Sequence, residues 1–130
     1  MDLILDTCGL LSLIGLADKK LSTKTLGFIE SADTAYISSC SMFEIAIKHK
    51  KGALDLGIFS TADELWTIAV AEYELAELPV NKNDFYHSVQ LPDIHADPFD
   101  RIIIAQARIR GIPVITYDAA FSQYDVVRMS

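Results

Sequence analysis

The sequence predicts an α/β fold in which helices cover both faces of a mainly parallel sheet, and three observations carry that prediction. Short apolar runs such as Leu3-Ile4-Leu5 and Val114-Ile115-Thr116-Tyr117 alternate along the chain with longer stretches of helical spacing. These runs are continuously apolar, as strands buried on two faces are. No internal repeat, low-complexity tract or long linker interrupts the pattern, which places residues 1–130 in one domain.

In chain order, Leu3-Ile4-Leu5 is the first strand and stops at Asp6 and Thr7. Leu10, Leu11, Leu13 and Ile14, closed by Gly15, form the helix it feeds. Ser22 caps a second helix, with Leu26, Phe28 and Ile29 inward, that ends near Ser31. Residues 33–38 make the second strand. Ser39 or Ser41 caps the next helix, which runs through Phe43, Glu44, Ile45 and Ile47 to Gly52. Ser60 or Thr61 caps another, where Leu65, Ile68 and Ala69 follow one stripe and Trp66, Val70 and Tyr73 a second, so burial on two sides is expected. Residues 74–80 form the third strand and 83–90 a short helix. A helix starting at Pro98 ends at Gly111 with Pro113 just beyond, and a fourth strand over 114–117 ends at Asp118. Residues 124–127 are the candidate fifth strand.

With 130 residues, 51% of them hydrophobic, the chain can bury a core without staples. No apolar run approaches the roughly 18 residues that span a bilayer, and Met1-Asp2-Leu3-Ile4-Leu5-Asp6 is too short and acidic for a signal peptide. A cytoplasmic protein without membrane contact is expected. Cys8 and Cys40 form no C-x-x-C pair and are read as reduced packing residues. The formal net charge of −7 argues against a broadly basic nucleic-acid grip. Acids gathered around a metal would nonetheless count as negative although the ion offsets them.

The acids are where chemistry enters. Asp6 and Asp118 stand at the carboxyl ends of strands, where ligands bind in parallel α/β sheets. Each acid alone has an ordinary explanation. Asp6 is a natural N-cap, Asp118 a turn residue, and Asp97 an N-cap before Pro98, with Asp100 placed like the acidic partner of a capping box. Glu44 lies in the apolar run Met42-Phe43-Glu44-Ile45-Ala46-Ile47, so it either pairs with Lys48 on the surface or is drawn inward and needs partners. The conjunction weighs more than any single acid, because the predicted fold brings Asp6, Asp118 and the helix start at Asp100 to one sheet edge. Like charges so placed repel unless a cation sits among them. All-oxygen ligands favour Mg²⁺ or Mn²⁺ over zinc, and such an ion suits phosphodiester hydrolysis.

Four segments carry a family resemblance: Ile4-Leu5-Asp6-Thr7; Ser41 to Lys48 with Gly52-Ala53-Leu54; His95-Ala96-Asp97-Pro98-Phe99-Asp100-Arg101 with Ile104-Ala105-Gln106-Ala107; and Thr116-Tyr117-Asp118 with Phe121. On these the chain resembles PIN-domain ribonucleases, specifically VapC-type toxins of type II toxin–antitoxin pairs. The resemblance implies a three-layer α/β/α sandwich with a central, mainly parallel sheet of about five strands. It also implies a Mg²⁺- or Mn²⁺-dependent endoribonuclease that cleaves RNA phosphodiesters by a metal-activated water, inhibited by a cognate VapB-type antitoxin. Its catalytic and metal-binding acids would be Asp6, Glu44, Asp100 and Asp118. Asp97 ranks first as a helix cap and second as a reach to a metal-bound water, Thr116 as support for the metal or a phosphate, and Arg101 as a partner of a neighbouring acid or of RNA. Where many relatives have a basic residue after the motif's histidine, this chain has Ala96.

Lys48, Lys50 and Lys51, with His49, form the chain's basic run. They complement the helix dipole, or steer an RNA backbone towards the acids. His49, His87 and His95 lack metal spacing and are read as surface or packing residues. A homodimer is expected, with Trp66, Phe59, Leu65 and Val70 forming either its contact or an antitoxin's. The alternative function is a catalytically weak module that mainly binds a partner. Gathering four acids favours the enzyme, since a pure binder has no need of them.

Overall fold

In a computed structural model of the chain, residues 1–124 and the short strand at 128–129 are described. Parallel strands β1 (Asp2–Leu5), β2 (Thr34–Ser38), β3 (Ala76–Leu78), β4 (Val114–Ile115) and β5 (Arg128–Met129) form one sheet in the order β3-β2-β1-β4-β5. The candidate fifth strand is displaced. Tyr124 belongs to a 3₁₀ segment (Ala119–Tyr124), residues 125–127 lie outside the described residues, and the strand falls at Arg128–Met129.

Side chains alternate across the pleat. Leu3 and Leu5 of β1, Ala35 and Ile37 of β2 and Ile115 of β4 enter one core cluster, with Leu10, Ile29, Leu65, Trp66 and Ala69 from the helices over that face. Ile4 and Val114 enter the other, with Leu91, Ile103, Ile104, Ala107, Phe121 and Tyr124. The helices are α1 (Thr7–Leu13), α2 (Thr23–Ser31), α3 (Ser39–Lys50), α4 (Ala62–Glu72), α5 (Lys82–Gln90) and α6 (Pro98–Arg110). Thus the sheet is sandwiched between two helical layers. Helix α3 touches both clusters, through Ile45 on one side and Cys40 on the other.

Cap chemistry sets the helix starts largely as the sequence predicts, with Ser22, Thr61 and Asp97 accepting from the first-turn amides. Helix α3 differs. Its cap is Ser38, the last residue of β2, which accepts from Cys40 N–H at 3.2 Å, so strand passes into helix without a loop. The face of α4 proposed as a contact surface is also corrected. Leu65 is fully buried and Trp66 is buried with its indole N–H donated to Glu77 Oε1 at 2.8 Å; Phe59 and Val70 pack against the same core. Each stripe of α4 is anchored in the core, through Leu65 and Ala69 on one and Trp66 and Val70 on the other, while Ile68 and Tyr73 are exposed. Cys40 packs in the core as read, but Cys8 is exposed.

From β1 the chain builds β2 and β3 outward on one side, then returns to add β4 and β5 on the other. The order therefore reverses between β1 and β4. Asp6 N–H bonds to Ile115 O at 3.1 Å, so the carboxyl ends of these two strands lie side by side at that switch point.

Candidate metal centre

Asp6 ends β1 and begins α1, and its Oδ1 accepts the Gly9 N–H at 2.6 Å. Gly9 is required for that approach: a Cβ there would stand 2.9 Å from the Ile115 carbonyl oxygen and 3.1 Å from Asp6 Oδ1. The carboxylate is only 3% exposed and also takes a hydrogen bond from Thr116. So Asp6 is both the cap and a member of the acid group. Burial pushes its pKa up to about 6 against the Thr116 and Gly9 hydrogen bonds, and the charges of Glu44 and Asp118 push the same way.

Glu44 combines the two alternatives left open by the sequence. It is buried, yet Lys48 Nζ reaches Oε2 at 2.6 Å one turn later, while Thr7 donates to Oε1 at 2.7 Å and shares a 2.8 Å contact with Ser41 Oγ. Thr7 and Ser41 thereby tie the start of α1 to α3. The sequence reading left both hydroxyls unassigned, although they fall inside the quoted motif segments. Lys48 is held at the edge of the acid group by Glu44, whereas Lys50 and Lys51 are exposed beyond it.

At the α6 start, Asp97 Oδ1 accepts from Phe99 N–H at 2.9 Å and Asp100 N–H at 3.3 Å, the capping role assigned to it. The expected reciprocal bond from Asp100 is not the one that forms. Asp97 N–H is taken by His95 Nδ1 at 3.3 Å, which leaves the Asp100 carboxylate for other contacts. Its Oδ2 lies 2.9 Å from His95 Nε2, and Asp118 Oδ2 lies at the same distance from that nitrogen. Asp118 also accepts the Ala120 N–H and donates its own N–H to Thr116 Oγ1. Burial, the charges of Asp97 and Asp6, and then that of Glu44 push the Asp100 pKa up to about 7, with His95 opposing.

His95 is therefore not a bystander, and reading it as a surface or packing side chain is corrected. Metal-spacing rules could not find it, because its partners are 5 and 23 residues away. Its closeness to Asp97 inside one motif was the available signal. Arg101 is placed mainly against backbone, beside one neighbouring acid. Its guanidinium donates to the carbonyls of Ser88, Leu91, Pro92 and His95 at 2.8–3.1 Å, and its nearest acid, Asp93, is 3.9 Å away. It staples the α5–α6 connection. Cys8 stands beside the acids; partial desolvation, then Asp6, Asp100 and Glu44, push its thiol up to about 11.

Raised acid pKa values make a stability prediction. Protons bind more tightly to folded Asp6 and Asp100 than to the unfolded chain, so this contribution is complete below their ordinary value of 3.8 and is lost as pH rises through about 6 and 7. Relative to Asp6→Asn, the metal-free parent should lose on the order of 2–3 kcal/mol between pH 4 and pH 8 in urea titrations. A difference between the two proteins that stays constant over that range would contradict the assignment.

One ligand atom each from His95, Asp100 and Asp118 lies within 4.8 Å of the other two, close enough to share one ion. Asp6 and Glu44 bring two further buried carboxylates, whose repulsion such an ion would relieve. Oxygen donors in this number fit a hard divalent cation. A parallel α/β sandwich with acids converging at its switch point defines the class, and the comparisons agree: residues 3–127 match the PIN domain family, to which the chain belongs.

The chain is also similar in structure to VapBC2 from Rickettsia felis bound to a promoter DNA fragment (TM-score 0.70, 12% identity, 99% of this chain and 98% of that one). It is similar to FitAcB from Neisseria gonorrhoeae (TM-score 0.67, 15% identity, 98% and 96%) and to DNA-bound VapBC from Salmonella typhimurium (TM-score 0.66, 20% identity, 100% and 97%). No match was found among curated proteins. Among the described residues no helix is long and apolar enough to cross a membrane.

Proposed function

We propose that the chain is a Mg²⁺- or Mn²⁺-dependent endoribonuclease acting as the toxin of a VapBC-like toxin–antitoxin pair. The observation that carries this reading is the convergence of Asp6, Glu44, Asp100 and Asp118 from four separate elements at the sheet's switch point. These four residues would hold the ion. When bound, a divalent cation supplies charge stabilisation for the phosphate and acidifies a water.

The chain's own residues do the rest. The Gly9 N–H and Thr116 orient Asp6, and Thr7 and Lys48 fix both oxygens of Glu44, so neither acid has to reorganise. Lys48 places a positive charge beside the acids, and Lys50 and Lys51 extend it along the end of α3, where a phosphate backbone can approach a chain of net charge −7. Similarity to VapBC assemblies supports a VapB-type antitoxin as partner. A homodimer belongs to the same reading; with Leu65 and Trp66 buried, its contact would draw on exposed apolar side chains such as Phe43, Phe85, Tyr86 and Val89.

Incubated with single-stranded RNA and MgCl₂ or MnCl₂, the purified protein should cut internally and leave 5′-phosphate and 3′-hydroxyl ends. DNA of the same sequence should be cut far more slowly. Excess EDTA should reduce cleavage to background, and activity undiminished in EDTA would sink the proposal.

A further inference from the structure

A single imidazole stands between two of the site acids. His95 Nε2 is hydrogen bonded to Asp118 Oδ2 at 2.9 Å and lies 2.9 Å from Asp100 Oδ2. An ionised carboxylate only accepts, so at pH 8, above the value of about 7 to which Asp100 is raised, a nitrogen facing it carries a proton. The other ring nitrogen supplies independent information. Nδ1 accepts the backbone N–H of Asp97 at 3.3 Å, and an accepting ring nitrogen has no hydrogen of its own. Together the two contacts select the Nε2–H tautomer. Direct ligation of a metal through Nε2 would require the opposite tautomer, with an Nδ1 proton aimed at the Asp97 N–H.

The ring's position is fixed from two sides. Tyr124, which is buried, accepts the backbone N–H groups of Ile94 and His95 on its hydroxyl. Arg101 donates to the His95 carbonyl at 3.1 Å while spanning the carbonyls that end α5. Phe121 meets the imidazole edge to face at 6.2 Å. Phe121 and Tyr124 lie on the 3₁₀ segment directly after Asp118, and Arg101 directly follows Asp100. The two acids and the histidine are thus clamped by neighbours of the acids themselves.

We infer that His95 is a positioning residue: its Nε2–H gathers the Asp100 and Asp118 carboxylates, and Arg101 and Tyr124 hold it in place to do so. The inference rests on the metal-dependent reading above for its purpose, and on the hydrogen-bond pattern alone for its chemistry. It also explains why Asp100 does not close a capping box. The histidine supplies the acceptor for Asp97 N–H and leaves the acid free.

Two measurements test it. Long-range ¹H–¹⁵N spectra of histidine-labelled, metal-free protein at pH 8 should show His95 as the Nε2–H tautomer; the Nδ1–H form would overturn the proposal. In calorimetric titrations with Mn²⁺, His95→Ala should bind about 10-fold more weakly than the parent, as loss of a group that orients ligands does. His95→Gln, whose amide N–H can take the place of Nε2–H, should bind within about threefold of the parent. Parent-like affinity in His95→Ala, or an equally weak His95→Gln, would remove the positioning role, the second outcome marking the ring as a ligand. If the parent itself bound no Mn²⁺, the nuclease reading would fail, while the tautomer would still decide whether His95 clasps the acids.

Discussion

Asp6→Asn and Asp100→Asn should each lower RNA cleavage by roughly 100-fold or more, equivalent to about 2.7 kcal/mol of lost transition-state stabilisation, without unfolding the protein. The expectation follows from what the substitution leaves intact. Asparagine is as good an N-cap as aspartate, so the bond from Gly9 N–H and the start of α1 survive. The variant also gives up a buried carboxylate whose pKa burial has already raised, so Asp6→Asn should gain stability near pH 8 when metal-free while losing cleavage when metal is supplied. Opposite signs for activity and stability are the signature of a functional acid, and cleavage assays paired with urea titrations read both. Full activity in both variants would refute the assignment of these acids.

Asp84→Ala should have the reverse profile, losing on the order of 3–5 kcal/mol of stability with the acid group left in place. Asp84 is completely buried. It closes a capping box with Asn81 at the start of α5, pairs with Arg110 at 3.0 and 3.4 Å, and takes Gln106 Nε2 at 3.4 Å. Alanine would leave the Asn81 N–H without its acceptor and the Arg110 guanidinium without its counter-charge, inside the seam where α5 packs on α6, while Gln106 and Arg110 keep only backbone carbonyls. The melting temperature should fall by roughly 10 °C or more. Cleavage by the fraction still folded should match the parent, because Asp84 contacts none of the four site acids. A melting temperature within a degree or two of the parent would show that the pair is dispensable.

Much of the fold was legible because its signals are local. Ser22, Thr61 and Asp97 announce helix starts through side chains that reach amides two or three residues on, and Gly111, at φ 64, ends α6 where a left-handed residue is needed. Strand ends were less legible. The fourth strand stops at Ile115, before Thr116 and Tyr117, and the Thr116 hydroxyl meets Asp6 and the Asp118 N–H. Trp66 and Leu65 read as contact residues because a sequence can show that a helix has two apolar stripes, but not that these two side chains are already packed inside the same molecule.

What the sequence determined by itself was the set of acids and the sheet edge they share: an aspartate after the first strand, another after the fourth, one in the first turn of α6, and a glutamate amid apolar neighbours in α3. Tertiary structure alone decided how those acids are held. Thr7 to Glu44, His95 to Asp118 and Arg101 to the end of α5 are contacts between segments 9 to 37 residues apart, set by which strands pair and how the helices return across the sheet. Hydrogen bonds with directional partners at such separations leave no periodicity in a sequence. His95 therefore looked like an ordinary surface histidine until the fold brought Asp100 and Asp118 to either side of it.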